Sequence, residues 1–144
     1  MIYRSLVAAA LFSLASCASD GTLLDRVNLN ALRCRPFETV VAGVVSVGQV
    51  EGKVYAQPAL AQHLDASELY GMPGVELVLR LLGGSDVIAS THTDSSGHFR
   101  LGALPEGVYQ LESCFDGFDS LIFVVKVAPG RRSSPILFGL SPSA

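Results

Sequence analysis

Val75-Glu76-Leu77-Val78-Leu79-Arg80-Leu81-Leu82 is the stretch on which the fold class turns. Val75, Leu77, Leu79 and Leu81 recur at every second position, and Glu76 and Arg80 fall between them and point away. A period of two is that of a β-strand with one buried face.

Working outward, the same texture repeats in both directions. Short apolar, β-branched runs at Thr39–Val47, Val50–Ala56, Val75–Leu82, Val87–Thr93, His98–Leu101, Val108–Phe115, Leu121–Val127 and Ile136–Leu140 are separated by Gly, Pro, Asp and Ser. Leu121, Phe123, Val125 and Val127 share one side of the seventh run. Strands at this spacing with little helix predict an all-β fold, an antiparallel seven- to eight-stranded β-sandwich spanning residues 39–144. Between Pro58 and Pro73, Leu60, Leu64 and the start signal Asp65-Ala66-Ser67-Glu68 predict a short helical insert in a long connection. Ala18 to Glu38 reads as a tether and lead-in with one helical turn around Asp25 to Arg33.

Three local motifs occur in order within this pattern. Gly52-Lys53-Val54-Tyr55, followed after the insert by Met72-Pro73-Gly74-Val75-Glu76-Leu77, is the first. Thr93-Asp94-Ser95-Ser96-Gly97-His98-Phe99 is the second, and Leu104-Pro105-Glu106-Gly107-Val108-Tyr109-Gln110-Leu111 the third. Together they resemble the carboxypeptidase regulatory-like domain, also called prealbumin-like or transthyretin-like, over about ninety residues from Val50 to Leu140. The resemblance implies an immunoglobulin-like or prealbumin-like sandwich. Each motif also has a local mechanical reason. Asp94 can accept from backbone N–H groups of its turn, Gly97 supplies a positive φ, and Phe99 returns to the core. Pro105 and Gly107 turn a corner after which Tyr109 can bury its ring and return its hydroxyl to nearby backbone.

The insert from Gln57 to Gly71 replaces what in that family is a short turn. Loops held by a rigid scaffold often carry binding, so Tyr55 and Tyr70 are candidate stacking surfaces for a carbohydrate or peptide. A tolerated surface ornament is the competing reading, because long insertions cost little closure entropy.

No catalytic motif is spelled out in the chain. No H-x-x-E follows His63, His92 or His98, and no G-x-S-x-G elbow occurs. The tail Ser141-Pro142-Ser143-Ala144 lacks the Tyr-Arg-Gly-Ser ending of the transthyretin-related hydrolases. The only asparagines are Asn28 and Asn30, before the sandwich, which leaves no partner for a lysine isopeptide bond of the usual form. No catalytic residue, metal site or cofactor is therefore expected. Arg131-Arg132 reads as a solvated hairpin tip, with an anionic headgroup or glycan as the alternative. A net charge of −3 with 16% charged residues excludes nucleic acid as a partner. It also leaves few charges to cover the surface, so an apolar patch that meets a membrane or a partner is in keeping with the composition.

The N-terminus carries an address. Met1-Ile2-Tyr3-Arg4 is a positively charged start, and Ser5 to Leu14 an apolar run that as a helix would reach about 15 Å, half of a hydrocarbon core of about 30 Å. Leu14-Ala15-Ser16-Cys17 resembles the bacterial lipobox. The resemblance implies a signal peptide over 1–16, a diacylglycerol thioether on Cys17 as the mature first residue, and attachment to the outer membrane of the cell envelope. Cleavage after Ala18, giving a secreted or periplasmic product, is the alternative. With Cys17 lipidated, Cys34 and Cys114 remain as a disulfide pair in an oxidising compartment, the alternative being two free buried thiols. The expected function is a non-enzymatic, lipid-anchored module for contact with another envelope protein. A carbohydrate- or peptide-binding module using the 57–71 loop is the runner-up, and a hydrolase of transthyretin-related type the third.

Overall fold

The computed structural model describes residues 20–31, 39–57 and 70–142. A short helix α1 (Asp20–Asp25) and a 3-10 turn (Leu29–Ala31) lead into eight strands. These are β1 (Thr39–Val47), β2 (Glu51–Ala56), β3 (Glu76–Leu81), β4 (Val87–His92), β5 (His98–Arg100), β6 (Gly107–Cys114), β7 (Ser120–Val127) and β8 (Ile136–Leu140). They form a five-stranded sheet of order β1-β7-β6-β3-β4 and a three-stranded sheet of order β5-β2-β8. The fold is all-β, a sandwich of two sheets, and each strand lies within one residue of the bounds expected for it.

Alternate residues fill the space between the sheets. Val75, Leu77 and Leu79 from β3 and its approach meet Leu111 of β6, Val125 of β7 and Val54 of β2, all fully buried. Phe138 is the centre of the core, with Phe99 edge-on at 5.7 Å and Phe123 at 4.8 Å between ring centroids. Burying side chains of this size contributes about 1.5–3 kcal/mol each.

The sheets are mixed, which corrects the expectation of a wholly antiparallel sandwich. β3–β4, β3–β6, β6–β7 and β2–β5 are antiparallel, but β1 runs parallel to β7 and β2 parallel to β8. Neighbours joined by short turns can only be antiparallel. A parallel pair needs a long crossover, and here the body of the chain between the partners supplies it.

The outer face of the five-stranded sheet is covered as well. Val78, Arg80, Gln110, Glu112, Ile122 and Val124 point away from the sandwich core, yet all are buried. Arg80 does point away, as the alternation predicts, but it is only 3% exposed. The N-terminal segment supplies part of the cover. A six-residue helix is too short to be stable alone, so α1 is held by burial of Leu23 near the ends of β1 and β7. Asn28 then crosses to the sheet. Its backbone N–H donates to Gln110 Oε1 at 2.9 Å, its carbonyl accepts from Gln110 Nε2 at 3.2 Å, and its amide nitrogen donates to the Gly84 carbonyl at 3.3 Å. Of the helical turn expected around Asp25 to Arg33, the described residues hold the 3-10 turn Leu29–Ala31, while α1 lies before it at Asp20–Asp25. Asn28 divides them because its side-chain oxygen accepts from the N–H of Asn30, offering the backbone an alternative to continuing the helix. Cys17, Cys34 and the expected helix within the insert lie outside the described residues.

Candidate functional site

The first and second motifs meet at one end of the sandwich, where β4 passes to β5. Asp94 Oδ1 accepts from the backbone N–H groups of Ser96 and His98, both at 2.9 Å. The Asp94 N–H donates to the His98 carbonyl, and the Asp94 carbonyl accepts from Gly97. The His98 bond first and the Ser96 bond second hold the carboxyl below its ordinary value, which favours the anion that the turn's N–H groups bond. Gly97 sits at φ +84, in the region that favours glycine. Thr93, which sequence reading treated only as the opening of the motif, is buried and fastens two segments. Its hydroxyl donates to the Met72 carbonyl at 2.5 Å and accepts from the Val75 N–H at 2.9 Å. The one signal for it was a hydroxyl residue at the entrance to a turn.

Beside this turn lies an open groove of about 340 Å³ lined by Glu51, His92, Asp94, His98, Arg100 and Pro135. The histidines of the two sheet edges share the groove but lean on different carboxylates. His92 Nε2 is 3.5 Å from Glu76 and His98 Nδ1 is 3.9 Å from Asp94, with both rings more than half exposed. Exposed pairs of this kind contribute little. Among the described residues no group of three His, Cys, Asp or Glu side chains could hold a metal ion.

At the other end of the sandwich the third motif forms its corner. Tyr109 is buried and its hydroxyl donates to the Pro105 carbonyl at 2.6 Å, across four residues. The two tyrosines proposed for stacking have different surroundings. Tyr55, half-buried on β2, lies over Gly139 of β8, where a Cβ would come within 3.0 Å of the tyrosine ring. Tyr70 is 88% exposed, directly before the Tyr55–Gly71 bridge. Residues 58–69 of the insert lie outside the description, so the structure places its two stems but not its body. The geometry is that of fasteners around a polar groove. Searched against models of protein families and against curated proteins, the chain matches none.

Proposed function

We propose that the protein is a lipid-anchored cell-envelope module, attached to the outer membrane through Cys17, whose carboxypeptidase regulatory-like sandwich presents a surface for contact with another protein. The observation that supports it is the employment of the motif residues. Asp94, Gly97, Pro105 and Tyr109 close turns against backbone and Phe99 fills core, which leaves the fold as a rigid bearer of loops. Cys34 is proposed as the disulfide partner of Cys114, which is half-buried at the end of β6. Intact mass spectrometry of protein extracted from membranes tests the anchor. A mature chain beginning at an acylated Cys17 supports it, and an intact leader or an unmodified sulfur at that position overturns it. In-membrane crosslinking tests the contact, the expected result being one specific protein partner.

The exposure of Tyr70 favours a second reading, in which the stem of the insert binds a carbohydrate or peptide by stacking. Saturable binding on a glycan or peptide array, lost in Tyr70→Ala, would support that reading over the first.

A further inference from the structure

Four of the seven large hydrophobic side chains exposed among the described residues belong to one end of the molecule: Leu29, Leu81, Val87 and Ile88, at 53%, 54%, 46% and 43%. Leu81, Val87 and Ile88 flank the β3–β4 hairpin. Leu29 follows Asn28, which is bonded to Gly84 in that hairpin and to Gln110 beneath it. Exposed Arg26, whose carbonyl lies beside Gly83 of the hairpin, and exposed Asp86 within the hairpin carry one charge of each sign, so the patch is apolar with no strong net field.

α1 begins at this same end. Leu23 is buried and lines a cavity with Gly107, Lys126, Ala128 and Arg131. Only Ala18 and Ser19 separate Cys17 from Asp20, and the three residue steps between them span at most about 11 Å. A lipid on Cys17 therefore leaves no room for a floating domain.

We infer that the β3–β4 hairpin end rests directly on the bilayer surface, with Leu29, Leu81, Val87 and Ile88 against it, and that the Thr93–Gly97 turn and Tyr70 face away. The inference rests on the lipid-anchor reading above. The short reach from Cys17 to a docked helix names the bilayer as occupant. It also makes the orientation a property of the fold, because α1 and Asn28 are fastened to the sheet rather than to a tether. The groove beside Asp94 and the stem of the insert then lie at the membrane-distal end, open to partners in the compartment.

The test uses full-length acylated protein on vesicles of phosphatidylethanolamine and phosphatidylglycerol, followed by hydrogen exchange. A second form carries about 15 Gly/Ser residues between Ser19 and Asp20, a spacer with a mean reach of roughly 20 Å. Exchange at residues 26–31 and 81–88 should be several-fold slower in the natural form than in the spaced form, with residues 93–98 alike in both. Leu81→Ser with Val87→Ser, changes at exposed positions, should reduce that protection while the acyl group and the circular dichroism persist. Acylated, vesicle-bound protein with equal exchange in both forms overturns the orientation and leaves the anchor standing. Absence of an acyl group overturns both. Protection that appears without vesicles as protein concentration rises assigns the patch to a second copy and overturns the inference.

Discussion

Gly97 is constrained twice. Its φ of +84 disfavours any side chain, and a Cβ there would approach the Val54 carbonyl oxygen to 2.5 Å, Gly71 Cα to 2.6 Å and Met72 N to 2.8 Å, all backbone atoms that cannot swing aside. Gly97→Ala should cost about 2–4 kcal/mol in urea denaturation, more than strain at a free turn would. Tyr109→Phe removes only the bond to Pro105 and should cost about 1 kcal/mol. Asp94 predicts a pH dependence. Its folded pKa lies below the ordinary 3.8, so its contribution is present above that value and is lost as pH falls through the lowered one. The gap in midpoint between wild type and Asp94→Ala should therefore hold at neutral pH and close in acid. Asp94 and Tyr109 were legible in the sequence because each meets backbone within four residues of itself, and Gly97 because its own turn needs a positive φ. The bonds of Thr93 and the Tyr55–Gly139 pair were not, because their partners arrive from segments distant in the chain.

Arg80 and Glu112 face each other on β3 and β6, 3.1 Å apart and with side chains 4% and 0% exposed, and Arg80 Nε also donates to the Ser85 carbonyl. Deleting one member of a buried pair leaves a charge without compensation, so Glu112→Ala should cost about 3–5 kcal/mol, whereas Arg80→Met with Glu112→Leu should recover most of it. Chemical denaturation of the three variants gives the comparison. The strands themselves could be read from alternation, which reports which residues share a face. Alternation does not report what covers that face, so the side of β3 and β6 bearing Arg80, Gln110 and Glu112 passed for a solvated one. The cover includes the N-terminal segment, clamped by Gln110, which also accepts from the Gly83 N–H at 3.2 Å. Gln110→Ala should loosen that clamp, and trypsin should then cut at Arg26 faster than in wild type while the sandwich stays intact.

Across the whole molecule, the distance between partners in sequence governs what closes the fold. A Cys34–Cys114 bridge, as proposed, closes a loop of about 80 residues, and in the chain-entropy model its reduction should lower stability by up to about 4–5 kcal/mol. Thiol counting with and without reductant, beside a melting curve, checks both parts. The mixed topology was beyond sequence reading because period two is the same in parallel and antiparallel strands. Both parallel pairs, β1 with β7 and β2 with β8, join residues about eighty positions apart. A nascent chain therefore has no means of finishing the five-stranded sheet until Ser120–Val127 has been synthesised, nor the three-stranded sheet until Ile136–Leu140 has followed, and high contact order of this kind slows closure further. Ribosomal products that stop before Ile136 keep β2 with only the three-residue β5 beside it. The final strand thus acts as the latch of the smaller sheet, and a truncation that removes it leaves the other face of the core without its cover.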